Sequence, residues 1–276
     1  MTRPETNRRG PRPQVVLAVL ASEWLTPHLV RITAGGEGFS AFATNDFTDK
    51  YVKIIFVDPA LGLTPPYDLA ALRDELPPER RPVTRTYTVR RVDEARRQLT
   101  IDFVVHGGEG IAGPWAAAAR PGDTLALSGP GGGYAPDPAA DWHLFLGDES
   151  ALPAISSALE ALPGEARGIA YLETQDGDEP PDLIAPPGVE VNWLRRRHPG
   201  TTPRLLAETL DAGRWLPGRV GVFAHGERES MKAVRAVLKG RDVAAGDLSL
   251  SGYWAYGRTE DTFQAEKREP IGQIEA

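Results

Sequence analysis

SGPGGGYAPDPAAD, residues 128–141, divides the sequence into two patterns. Glycine, proline and aspartate disfavour the interiors of helices and strands, so the stretch reads as a connection. Upstream lie short runs rich in β-branched and aromatic residues: VVLAVL, LVRIT, YVKIIFV, TRTYTV, LTIDFVVH and DTLALSG. Gly, Pro and Asp separate them, which predicts antiparallel strands of a barrel or sandwich. PYDLAALRDELPPERRP, 66–82, has room for a helical turn before its prolines stop it. Downstream the pattern alternates: HLFLGDE, ALPAISSALEALP, GIAYLETQ, VEVNWLRRR, PRLLAETLDAG, RVGVFAHGE and ESMKAVRAVLKG. Apolar strands alternating with amphipathic helices predict a parallel sheet covered by helices. The expected organisation is a flexible basic arm over 1–13, an all-β domain over 14–136 and an α/β domain over 141–276.

A length of 276 residues suits two domains of this kind. With 41% hydrophobic and 25% charged residues the composition is that of a globular chain. No apolar run approaches the roughly 18 residues that cross a bilayer. The basic, proline-rich MTRPETNRRGPRPQ followed by the short VVLAVLA fits an arm and a first strand better than a secretory signal, and a cytoplasmic location is expected. The formal charge of −7 repels phosphate backbones, making nucleic acid a poor partner and a small ligand a better one. The absence of cysteine excludes disulfides, cysteine-ligated clusters and a thiol nucleophile. His28, His106, His143, His198 and His225 are scattered, so no protein-held metal is expected. Redox chemistry would fall to an organic cofactor or a substrate.

In RTYTVR, 85–90, strand alternation places Arg85, Tyr87 and Val89 on one face and Thr86, Thr88 and Arg90 on the other. Taken alone, the hexapeptide also fits an exposed strand with solvated arginines. HGGEGIAGPWAAAARPGD brings Gly107, Gly108 and Gly110 to a strand end before an Ala-rich helix, whose first N–H groups and dipole suit a diphosphate. LGDESALPAISSALEAL is strand, turn and helix, placed where α/β folds bind nucleotides. It lacks G-x-G-x-x-G, its Asp148 and Glu149 disfavour a diphosphate over the turn, and Ser150 is the expected helix N-cap.

RTYTVR matches the R-x-Y-[ST]-x-R element of ferredoxin-reductase-like flavoproteins. DFVVHGGEGIAGPWA and LGDESALPAI resemble the siderophore-interacting, or ferric-siderophore reductase, family, and GYWAYGRTED is close to its G-Y-W-R-x-G pattern. These elements come in family order, and the resemblance covers nearly the whole chain from about residue 14. It implies a β + α/β chain: an N-terminal antiparallel Greek-key β-barrel holding FAD, then a parallel-sheet α/β domain for NADH or NADPH. The implied activity is reduction of a ferric siderophore to release Fe(II), with hydride passing from NAD(P)H to flavin N5 and single electrons to Fe(III). Alternatives are a related reductase acting on ferredoxin, a quinone or free flavin, and a flavin-free siderophore carrier.

By the same resemblance, Arg85 contacts the flavin diphosphate, Tyr87 lines the isoalloxazine or ribityl region, and Thr88 bonds near N5, with Tyr87 and Thr88 as the catalytic pair. Thr86, Asp102, Val104, His106, Gly110, Ile111, Ala112, Gly113 and Trp115 complete the flavin site. The family usually has a hydroxyl residue where Gly113 stands. A lone His106 also fits a packed or surface residue. Asp148, Glu149, Ser150 and Ala151 form the nicotinamide entry, with Leu152 and Pro153 shaping its side. Glu173 accepts from an adenosine ribose hydroxyl and favours NADH. Arg195, Arg196 and Arg197 can hold a 2′-phosphate, although a solvated basic turn is the favoured reading. Tyr253 and Trp254 cover the flavin face or pack between the domains. Lys53 and Arg258 dock substrate, although Lys53 equally fits a snorkelling strand lysine. Ala255 and Pro114 stand where the family often carries basic residues, so a hydroxamate or mixed-ligand siderophore is expected over highly charged catecholates. The donor is a nicotinamide nucleotide or a ferredoxin, and the chain is expected to be monomeric.

Overall fold

The computed structural model describes residues 13–105, 108, 110–177, 179–196 and 204–274. Six strands form the first half: β1 (Gln14–Thr26), β2 (Leu29–Gly35), β3 (Tyr51–Phe56), β4 (Val83–Asp93), β5 (Gln98–Val104) and β6 (Thr124–Gly131). They close as an antiparallel barrel in the order β1-β2-β5-β4-β3-β6. Alternation builds the interior: Val15, Leu17 and Val19 of β1 turn inward, as do Val30 and Ile32 of β2, Val52 and Ile54 of β3 and Leu125 and Leu127 of β6. Helix α1 (Leu69–Glu75) is the turn expected before the prolines, with the Asp68 carboxylate accepting from Ala70 and Ala71 N–H. Helix α2 (Ala112–Ala118) packs Ala112 and Ala116 onto the barrel core.

The second half runs β7 (Trp142–Gly147), α3 (Leu152–Ala161), β8 (Gly168–Gln175), β9 (Val189–Arg196), α4 (Leu205–Ala212), β10 (Val220–Glu227), α5 (Arg228–Gly240), β11 (Leu248–Trp254) and α6 (Glu260–Glu266). The five strands are parallel in the order β11-β10-β7-β8-β9. Every residue of β7 and β10 is buried, as central strands covered on both faces require. Strand β11 did not stand out as a strand in the sequence: serines interrupt LSLSGYW, and its edge position leaves it half-buried. No helix among the described residues is long and apolar enough to cross a membrane.

The halves are tied together across β4 and α3. The Arg90 guanidinium pairs with the Glu160 carboxylate, with Nη1 3.0 Å from Oε2. Ser157 Oγ donates to the Arg90 carbonyl at 2.8 Å. Arg90 therefore serves the domain interface.

Candidate functional site

Strand β4 separates its side chains as alternation demands. Val89 is buried in the barrel, and Tyr87 packs on Phe103 with ring centroids 4.3 Å apart and the planes tilted by 36°. Phe103 and Phe56 each pack on Trp115 of α2, at 5.7 and 5.8 Å. Burial pushes the Tyr87 hydroxyl up to about 12, helped by the nearby Glu260 carboxylate. Thr86 lies exposed on the opposite face. Buried Thr88 is hydrogen-bonded to the hydroxyl of Tyr253 from β11, so it meets the second domain. Burial raises the Tyr253 phenol well above its ordinary range. Tyr253 sits edge-on to His225 at 4.9 Å, and His225 stacks on Phe223 at 3.9 Å.

Arg85 points to the C-terminal segment. Its Nη1 and Nη2 donate to Oδ1 and Oδ2 of Asp261, both at 3.1 Å, and Nη1 also reaches the Thr84 carbonyl at 2.9 Å. A two-oxygen anion thus lies where the diphosphate is expected, in the planar fork geometry that suits phosphate. Gly110 has φ +79°, and a Cβ there would meet nothing within 4 Å. A side chain at Gly113 would find only ordinary contacts, from 3.4 Å to the Val104 carbonyl oxygen. The Arg85 fork, two residues from Tyr87, therefore suits the diphosphate end of a flavin dinucleotide. Ile111 precedes α2 without a capping side-chain bond. Val104 packs half-buried beneath the second domain. His106, Gly107 and Arg197 lie outside the described residues.

Several candidate residues are otherwise engaged. Both Asp102 oxygens are taken by Arg31 of β2, at 2.7 and 2.8 Å, so Asp102 straps neighbouring strands. Arg258 Nε donates to Glu266 at 2.6 Å, and Glu266 also holds the buried Arg228, so a substrate must compete for Arg258. Ser150 is not the helix cap: Ala151 occupies that position with no side-chain bond, and Ser150 Oγ instead donates to Asp148.

Asp148 is the hub of the sheet's carboxyl edge. Its Oδ1 accepts from Ser150 N–H at 2.9 Å and Ser150 Oγ at 2.5 Å. Its Oδ2 accepts from Glu227 N–H and Trp254 Nε1, both at 2.8 Å. Trp254 is thereby fixed to the second domain. Two glycines permit this crowding: a Cβ at Gly147 would stand 2.8 Å from Ala151 Cβ, and one at Gly226 would stand 2.8 Å from Asp148 Oδ2.

Beside it lies an arginine that the sequence placed in a solvated turn. Arg196 is instead 4% exposed. Its Nη2 reaches the Glu149 oxygens at 2.9 and 3.1 Å, and its Nη1 reaches Glu173 Oε2 at 3.2 Å. Alternation leaves Arg195 exposed. Burial raises the Glu173 carboxyl to about 7, with the Asp148 charge adding to it and Arg196 opposing it. The folded chain therefore binds this proton more tightly than the unfolded chain. The resulting stability is complete below about pH 4.5 and disappears as pH rises through about 7. Glu173→Gln removes the titration and is expected to flatten stability across that window. Denaturation midpoints measured between pH 5 and 8, on the order of the window itself, check this; equal pH slopes in both proteins would contradict it.

Lysine 267 carries a signal that sequence reading missed. Its ammonium lies 4.8 Å over the Phe263 ring. Burial lowers its pKa, with the Glu260 charge opposing and the Lys53 charge adding to the shift. The i, i+4 spacing of Phe263 and Lys267 is visible in sequence. Lys267 also borders an open groove of about 450 Å³ with Arg228, Ser251 and Phe263. No group of three or more His, Cys, Asp or Glu among the described residues could hold a metal ion.

Comparison with known proteins agrees with this architecture. The family model described as siderophore-interacting FAD-binding domain matches residues 18–134, and that of siderophore-interacting protein matches 140–257. An uncharacterized protein of Mycobacterium tuberculosis is 47% identical over 96% of this chain and 98% of its own. The ferric vibriobactin reductase ViuB of Vibrio cholerae is 34% identical over 95% of this chain and 96% of its own. A solved siderophore utilization protein from T. fusca superposes with a TM-score of 0.79 at 39% identity, covering 90% of this chain and 95% of that one.

Proposed function

We propose that this chain, which belongs to the siderophore-interacting protein family, is an FAD-dependent oxidoreductase that frees iron from ferric siderophores using a nicotinamide nucleotide. The observation that carries the reading is the Arg85 fork, which already grips a two-oxygen anion beside Tyr87 and Thr88. When bound, FAD supplies the step between a two-electron hydride donor and a one-electron acceptor, so one nicotinamide serves two Fe(III) chelates. Arg85 holds the diphosphate and Tyr87 bounds the ring site. Thr88, fixed by Tyr253, presents its backbone and hydroxyl at the domain boundary. Trp115 and Phe56 pack edge to face against the barrel core beside Tyr87.

Lys53, exposed on β3, offers a positive charge to an anionic chelate. The iron enters as substrate with its own oxygen ligands, so the protein needs no ligands for it. Arg258 is neutralised by Glu266, and buried Ala255 adds no charge. The Lys53 charge suits hydroxamate or mixed-ligand chelates better than highly charged catecholates. Each tenfold preference of a chelator for Fe(III) over Fe(II) lowers the one-electron potential by about 59 mV. The most selective chelates therefore need capture of Fe(II) to draw the reaction forward.

The deciding experiment loads the purified protein with FAD and reduces it anaerobically with NADH or NADPH. It is then mixed with ferric hydroxamate or ferric catecholate in the presence of a ferrous-iron indicator. Flavin reoxidation with two Fe(II) per nicotinamide, faster for the hydroxamate, is expected. A colourless protein that takes up no FAD, or a reduced protein that reacts with a quinone and ignores both chelates, rejects the function. A catecholate preference rejects only the substrate class.

A further inference from the structure

In parallel α/β sheets a nucleotide lies across the carboxyl ends of the strands, and an acid ending the second strand meets the adenosine ribose. At that edge this chain places Glu149 after β7, Glu173 on β8 and Arg196 at the end of β9. The three form one cage. Arg196 and Glu173 are each 4% exposed, and Glu149 is the member most open to solvent, at 17%. The guanidinium that could take a 2′-phosphate is already bound by three carboxylate oxygens within 3.2 Å. Asp148 adds a further negative charge felt by both Glu173 and Arg196. Glu173 Oε1 and Arg196 Nε are buried without a hydrogen-bond partner, so the cage is not a fully satisfied structural network.

A ribose 2′-phosphate can reach Arg196 only by displacing Glu149, and it would then stand as a dianion among carboxylates. A ribose hydroxyl has no such conflict, since a carboxylate accepts from it directly. The starts of α3 and α5 offer no alternative. Asp148 takes the N–H of Ser150 ahead of α3, and Glu227 Oε2 takes the N–H groups of Glu229 and Ser230 at α5, at 2.7 and 2.9 Å.

We infer that the Glu149–Arg196–Glu173 cage is the nucleotide-selecting element of the second domain, refusing a 2′-phosphate and so making NADH, rather than NADPH, the electron donor. The inference rests on the reading of this sheet edge as the nicotinamide site. Glu149 is the gate of the cage, because it supplies two of the three bonds and faces solvent. Arg196 is the charge that the gate withholds. With Glu149 neutralised, Arg196 keeps one carboxylate partner and regains the capacity to pair with a phosphate.

The test titrates FAD-loaded, full-length protein with NAD⁺ and NADP⁺ by calorimetry. The wild type is expected to bind NAD⁺ at least about tenfold more tightly, about 1.4 kcal/mol. Glu149→Gln is expected to bring the ratio toward one by strengthening NADP⁺, and Glu149→Gln with Arg196→Met to restore discrimination. Far-ultraviolet dichroism and the flavin spectrum confirm folding of each variant, with Glu149→Asp as the conservative control that retains the preference. Equal or tighter NADP⁺ binding by the wild type overturns the inference, as does an unchanged ratio in Glu149→Gln or no binding of either nucleotide. Reduction of a ferric chelate by dithionite-reduced protein, which needs no nucleotide, reports separately on the proposed function.

Discussion

Arg85→Ala is expected to weaken FAD binding about a hundredfold, because two charge-assisted bonds at about 1.5 kcal/mol each are lost. Asp261→Asn is expected to act in the opposite direction and tighten FAD severalfold. In the chain as it stands, Asp261 occupies the same Nη1 and Nη2 that a diphosphate would use. A neutral amide holds the guanidinium less strongly and lets the cofactor displace it more easily. Stability separates this reading from a simple ion pair between distant segments. Asp261 is 71% exposed, and an exposed pair contributes about 0–1 kcal/mol, so neither substitution should shift the melting temperature much. Flavin-fluorescence titration of the apoprotein measures both affinities. An Arg85→Ala protein that retains wild-type affinity, or an Asp261→Asn protein that binds FAD less tightly, removes Arg85 from the diphosphate site.

Local pattern carried the architecture. The β-branched runs before residue 128 become the barrel, and the largely apolar HLFLG and VGVFA become the central parallel strands, because burial on two faces admits little else. Side-chain placement was legible where it rests on consecutive residues, as in the alternation that sets Tyr87 against the barrel and Thr86 toward solvent. It was illegible where a charge is settled by a partner far along the chain. Asp261 lies 176 residues from Arg85, and Asp102 lies 71 from Arg31. No periodicity encodes such pairs. Arg196 shows the same difficulty: in RRR it looks solvated, yet alternation turns it inward toward Glu149 and Glu173, whose positions depend on the order of the sheet.

Asp148→Ala is expected to be the most damaging single change at the sheet edge, and the reason separates a structural carboxylate from a cofactor-binding one. LGDES reads in sequence as a nucleotide turn, but the Asp148 side chain gathers donors from its own turn, from the start of α5 at Glu227 and from the end of β11 at Trp254. Removing it strands the buried Glu227 N–H and the Trp254 indole N–H together. An unsatisfied buried donor costs about 1–3 kcal/mol, so the loss should reach about 4 kcal/mol, or about 8–16 °C in melting temperature for a chain of this size. Asp148→Asn keeps one acceptor oxygen, which can serve either the Ser150 pair or the Glu227 and Trp254 pair, and should lose about half as much. The scale of the effect is decisive, because surface substitutions away from such hubs stay within about 0.5 kcal/mol. Thermal denaturation of the FAD-free protein measures the difference without any nucleotide present. A melting temperature near wild type for Asp148→Ala would mean that Asp148 serves the ligand alone, and that β7, α5 and β11 are held in register by the sheet ladder without it.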